Sequence, residues 1–290
     1  QGPMADTPVR PGSAPPATPP GLLELRAQAE AEGRAEGRTT AYLLLAQAAE
    51  MEKRFADAET WLQKIESTGG ALEVLVRRAS LMARQGQVEQ ARELLRRAPE
   101  REPQDRRAKL LAEAQLLRDL KQWPESMKVM QQAAAAFPDD VDILYEQSMV
   151  AEKLGRLDEM ESLLRQVIRL KPDHHHAYNA LGYTLADRNI RLPEARELIR
   201  KALELAPGEP FITDSLGWVE FRLGNASEAL RLLREAYSAR PDVEIGAHLG
   251  EVLWVQGLRE EARRVWRESR QRDAGNEVLR ETLRRLQVDL

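Results

Sequence analysis

The sequence predicts an all-α protein, a superhelical solenoid of about seven two-helix repeats closed by a C-terminal helix. Three observations predict it. A small residue recurs at Ala46, Ala79, Ala114, Ser148, Gly182, Gly217 and Gly250, spaced 33, 35, 34, 34, 35 and 33 residues apart. Twelve residues later a second small position reads Ala58, Ala91, Ser126, Ala229 and Ala262, with Met160 as an exception and Ala195 one residue late. A stop follows in each unit, at Gly70, Pro103, Pro138, Pro172, Pro207, Pro241 and Ala274. Self-similarity at this period means units that cannot bury their apolar faces alone and must stack.

The elements follow in order. Gln1-Gly2-Pro3-Met4 looks like the remnant of a viral 3C-protease tag site, and the proline-rich stretch to Gly21 has almost nothing to bury, so 1–21 reads as a disordered leader. Whether a signal, an anchor or further repeats precede it stays open. Residues 22–38, containing LLELRAQAEAEG, read as an N-terminal amphipathic helix. Residues 39–276 hold the repeats. Small side chains let the two helices of a unit approach at their crossing. Proline after the second helix cannot continue it. Gly86, Gly155, Gly224 and Gly257 fall between the two helices, where a left-handed turn is needed. Residues 277–290, EVLRETLRRLQVDL, read as a helix capping the last open face.

Composition narrows the function. The 290 residues are 42% hydrophobic, 31% charged and 5% aromatic, with a net charge of −4. Basic and acidic residues are interleaved, which argues against a nucleic-acid footprint. No apolar run approaches the roughly 18–20 residues needed to span a bilayer. Without cysteine there is no disulfide, no thiolate catalysis and no Cys-based zinc site.

These spacings and residues resemble the tetratricopeptide repeat family over about Thr39 to Asn276, which implies a right-handed superhelix with a concave inner wall. HAYNALGYTLADR, DSLGWVEFRLGNASEA and AHLGEVLWVQGLREEARRVW further resemble the C-terminal half of bacterial outer-membrane lipoproteins that serve as adaptors for a periplasmic carboxyl-terminal processing protease. That resemblance implies protein partners, namely the protease and substrates such as cell-wall hydrolases. It also implies a periplasmic location at the outer membrane, through a lipid-bearing cysteine that this sequence lacks. A tetratricopeptide scaffold in another envelope or cytoplasmic assembly, such as polysaccharide export or peptidoglycan synthesis, is the alternative.

The family pattern implies inward positions three before and one, four and five after the small crossing residue. They fall on Tyr145, Met149, Glu152 and Lys153, then Asn179, Tyr183, Ala186 and Asp187. The next two units give Asp214, Trp218, Phe221 and Arg222, then Ala247, Glu251, Trp254 and Val255. With His176 and Phe211 these form the expected protein-binding face, because large amphipathic rings beside charges are the usual anchors of protein recognition. The rings could equally fill space between helices, most of all Phe221 and Trp254. Trp61, Trp123 and Trp266 fall on second helices and read as core.

Catalysis is not expected. No HExxH, GxSxG or Walker loop is present, and carboxylates on helix surfaces are mostly solvated. The lysine–asparagine clamp by which some relatives grip a chaperone's terminal carboxylate is replaced by Asn179, Tyr183 and Asp214. His174, His175 and His176 point about 100° apart on a helix and cannot converge on one metal ion, so they read as a solvated helix start. His248 reads as an isolated packing residue. No cofactor is implied.

Overall fold

The computed structural model describes residues 35–66 and 71–290. The leader 1–21, most of the helix expected over 22–38, and the stop at Gly70 lie outside the described residues. Within them the chain forms fifteen α-helices and no strand. They fall into seven consecutive pairs. These are α1 (Ala35–Met51) with α2 (Phe55–Glu66), α3 (Leu72–Arg84) with α4 (Val88–Arg97), and α5 (Asp105–Asp119) with α6 (Trp123–Ala136). Next come α7 (Val141–Lys153) with α8 (Leu157–Leu170), and α9 (His175–Asp187) with α10 (Leu192–Leu205). The last are α11 (Pro210–Arg222) with α12 (Ala226–Ala239) and α13 (Val243–Val255) with α14 (Arg259–Arg272), followed by α15 (Glu277–Leu286).

Helix α1 runs unbroken through Gly37 and Thr39, so the boundary expected at 38/39 falls inside a helix. One interior glycine costs a helix only about 1 kcal/mol, too little to end it.

Two local rules shape the pairs, the first in all seven and the second in four. Between its helices one residue adopts positive φ: Lys53, Gly86, Lys121, Gly155, Asn189, Gly224 or Gly257. The residue after it typically donates its N–H five residues back, as Gln87 does to Met82 and Leu258 to Leu253, which closes the orphaned carbonyls of the first helix. After the second helix, proline's ring disfavours helical geometry for the residue before it. Phe137, Lys171, Ala206 and Arg240 accordingly leave the helix at φ −129°, −138°, −135° and −147°.

The chain divides into two compact units. Among the described residues the first comprises 35–66, 71–143 and 150–155, and the second 144–149 and 156–290. In the first unit Ala46, Ala79 and Ala114 are buried at the crossings opposite Ala58, Ala91 and Ser126, and the Ser126 hydroxyl donates to the Ala114 carbonyl at 3.0 Å.

At the last three crossings glycine takes the place because a β-carbon there would collide with the second helix. A β-carbon on Gly182 would lie 2.6 Å from Ile199 Cγ1 and 2.9 Å from the Ala195 carbonyl; on Gly217 it would lie 2.8 Å from Leu233 Cγ. On Gly250 it would enter the Trp266 indole, which is wholly buried as expected for a core ring. Met160 fills its small position without exposure and accepts a 3.7 Å contact from the Thr184 hydroxyl. Ala195 is one residue late because its turn carries an extra residue: Asn189 and Arg191 are both left-handed, with φ of 58° and 45°.

Candidate functional site: a groove on the last three repeats

The second unit holds a cavity of about 940 Å³. One side is the inner faces of α9, α11 and α13, supplying Tyr183, Asp187, Trp218, Arg222, His248 and Glu251. The facing side is α15, with Val278, Thr282 and Arg285 on one helical face and Glu277, Arg280, Glu281 and Arg284 around them.

The wall's geometry starts from a fully buried carboxylate. Asp214 accepts a hydrogen bond from His248 Nδ1 at 2.9 Å, and His248 Nε2 meets the Tyr183 hydroxyl at 3.0 Å. With Asp214 ionised and the imidazole neutral, Nδ1 carries the proton, Nε2 accepts, and Tyr183 donates. The chain links repeat seven to repeat five across repeat six. Trp218 stacks on the imidazole, centroids 4.3 Å apart, and donates its Nε1–H to Asp187 Oδ1 at 3.3 Å. The Arg222 guanidinium lies 4.8 Å from the centre of the same indole and donates to the Asp187 carbonyl at 3.2 Å.

Across the cavity Arg285 donates from Nη1 to Glu251 Oε2 at 3.2 Å and from Nη2 to Glu251 Oε1. The Glu251 hydrogen bonds hold the Arg285 pKa above its ordinary value, against a smaller opposing effect of burial. Glu251 is itself buried, so this pair ties α15 to the wall.

Five of the expected face residues therefore converge on the groove: Tyr183, Asp187, Trp218, Arg222 and Glu251. Asp214 supports it from beneath. Trp218 is 2% exposed, so it is floor rather than anchor.

Others lie elsewhere. Tyr145 is buried against His174, centroids 5.1 Å apart, with His176 at 6.3 Å. Phe211 packs with Ala236 and Ile245 under the Arg240 guanidinium. Neither ring is open to a partner, because helix-to-helix packing claims it. Asn179 and Met149 are buried, and Phe221 lies 5.4 Å from Trp218 as partial packing. Trp254 is held by Arg259 and Arg263 of α14 at 4.4 and 5.2 Å, beside Trp266. Lys153, in the first unit, sits 5.8 Å over Trp123.

Two readings of histidine change. His248 is not isolated; it joins the wall's hydrogen-bond chain. His174 is not solvated: it is buried and caps α9, its Nδ1 accepting from the Ala177 N–H at 3.1 Å. The inward stencil missed His248 by one position, since it lies two before Gly250. The part played by α15 was missed, and the signal that could have found it is Val278, Thr282 and Arg285 at i, i+4 and i+7.

Paired antiparallel helices with this period and these crossings match known proteins. Tetratricopeptide repeat sequence profiles match residues 111–159, 161–210 and 215–277, and a further profile of the same name matches 73–105. The chain belongs to the tetratricopeptide repeat family. It is 40% identical over 211 residues to the TPR repeat-containing protein PA4667 of Pseudomonas aeruginosa, an overlap covering 73% of this chain and 36% of that relative's length. Among solved structures it is similar to TTC0263, a tetratricopeptide repeat protein of Thermus thermophilus, with a TM-score of 0.55 and 19% identity over 63% of this chain and all of that one. It is also similar to a tetratricopeptide repeat protein of Parabacteroides merdae, with a TM-score of 0.52 and 16% identity over 73% of this chain and 97% of that one. Identities this low carry the fold alone. Tetratricopeptide repeats are scaffolds suited to protein–protein interaction.

Proposed function

We propose that the chain is a non-catalytic adaptor that holds a carboxyl-terminal processing protease and presents protein substrates, such as cell-wall hydrolases, to it at the outer membrane of the periplasm. The observation that carries this reading is a coincidence of place. The repeats whose sequences resemble the protease adaptors, around Tyr183, Trp218 and Trp254, are the ones whose inner faces open on the 940 Å³ groove. An adaptor needs no chemistry of its own, because holding enzyme and substrate on one chain raises their effective concentration.

The test is reconstitution. The purified chain alone should hydrolyse nothing, and adding it to the protease and a cell-wall hydrolase should accelerate cleavage. Equal turnover with and without it would remove the adaptor reading. Trp218→Ala is a poor probe, since deleting a buried indole costs about 3–5 kcal/mol of stability. Substitutions of exposed groove residues, Asp187 and Arg280, test the surface without that loss.

A further inference from the structure

Resting on the reading of the groove as a polypeptide site, we infer that its α9 wall contains a subsite for a cationic side chain, a lysine or arginine of the bound segment. Tyr183 and Asp187 stand one helical turn apart on α9, on the same face, and both line the cavity. The Asp214–His248–Tyr183 chain fixes what Tyr183 can do there. Its one proton is directed at His248, so any further bond to its oxygen is one that it accepts. Asp187 presents a second acceptor. Its side chain is 54% exposed, and Oδ1 receives the Trp218 Nε1–H, which aims the carboxylate and leaves Oδ2 to a ligand. A phenol oxygen and a carboxylate at i and i+4 make an acceptor pair that an ammonium or guanidinium can bridge.

The lining charges balance overall, with Arg280 and Glu277 on α15, and what matters is which cations reach Asp187. The lining carries four acids and four arginines, but Arg284 is bound to Glu281 at 2.6 Å and Arg285 to Glu251. Arg222 is the nearest competitor for Asp187. Its guanidinium is held over Trp218 and by the Asp187 backbone carbonyl, and approaches the carboxylate only to 3.7 Å, beyond hydrogen-bond reach. The Asp187 carboxylate is thus partly neutralised but not bonded by arginine.

The experiment selects random twelve-residue peptides displayed on phage against the whole chain at pH 7.5. Bound peptides are expected to share one basic position. Replacing that lysine by norleucine, which keeps the stem and removes the charge, should weaken binding about tenfold, as loss of a charged hydrogen bond does. On the Asp187→Asn chain the same replacement should change binding less than twofold, and Arg222→Gln should tighten the parent peptide. A shared motif without a basic position, or an undiminished norleucine effect on Asp187→Asn, overturns the subsite and leaves the groove standing. Failure to select any peptide whose binding responds to groove substitutions overturns both.

Discussion

On α5 two buried charges are clasped by the repeat before, as Glu220 on α11 is by Arg196, whereas Tyr183, Asp214 and His248 on α9, α11 and α13 meet one another beside a cavity. Glu113 is buried and accepts from Arg92 Nε at 2.8 Å and Arg96 Nη2 at 2.9 Å, both on α4. Lys109 donates to the carbonyls of Arg96 and Ala98, where α4 ends. These contacts fasten one repeat to the next and leave nothing to offer a ligand. Asp214, His248 and Tyr183 are joined just as firmly, yet their chain ends at the groove. The same repeat geometry therefore makes a fastener where the polar chain closes on backbone and arginine, and lines a cavity where it ends on an aromatic hydroxyl.

The crossings differ too, and they give the sharpest way to break the comparison. Gly250→Ala puts a methyl group into the Trp266 indole and should lower stability by about 3 kcal/mol in urea denaturation. Ala114→Gly, at the matching place in the first unit, should cost only about 1 kcal/mol, from backbone entropy. Equal midpoint shifts would show that the closer approach in the last three repeats does not matter.

Next in size are the two polar clusters. Glu113→Gln removes the charge that Arg92 and Arg96 share and should cost about 2 kcal/mol while leaving groove-directed peptide binding intact. Asp214→Asn should weaken peptide binding as well, because the acceptor that fixes the His248 tautomer is altered. Nitrogen NMR of the imidazole checks the cause directly: Nδ1 carries the proton in the parent chain.

A smaller effect depends on pH. Arg191 and Arg165 hold the Glu161 carboxyl down to about 2, from 4.5. A depressed carboxylate stabilises the fold above its unfolded pKa, and that contribution disappears as pH falls from about 4.5 towards 2. Glu161→Gln should therefore lower the urea midpoint at pH 7 and match the parent chain near pH 2. A gap that persists at pH 2 would mean that the ion pair is not what holds the Asn189–Arg191 turn. The smallest change is expected at the exposed Arg231–Glu228 pair, where Arg231→Gln should leave the melting temperature unmoved.

Period and small residues made the architecture legible, because they record packing that any two-helix stack must satisfy. Pro138, Pro172, Pro207 and Pro241 marked helix ends through a local steric rule, so those boundaries were readable as well. The boundary expected at 38/39 was not, since Gly37 weakens a helix without ending it. The site was half legible. Tyr183, Asp187, Trp218, Arg222 and Glu251 follow from repeat position alone. What the stencil could not see is which rings neighbouring helices claim: Tyr145 is inward by position and buried by packing. Nor could it see His248, whose role comes from partners 34 and 65 residues away in sequence.

The proposed role stands or falls on whether the groove between the inner wall and α15 receives another polypeptide. A photo-reactive benzoylphenylalanine placed at Val278, within the groove, or at Arg267, on the exposed face of α14, tests it in the reconstituted mixture of chain, protease and hydrolase. Cross-linking of protease or substrate from Val278 and not from Arg267 is expected. Cross-linking from Arg267 alone, or equally from both, would contradict it.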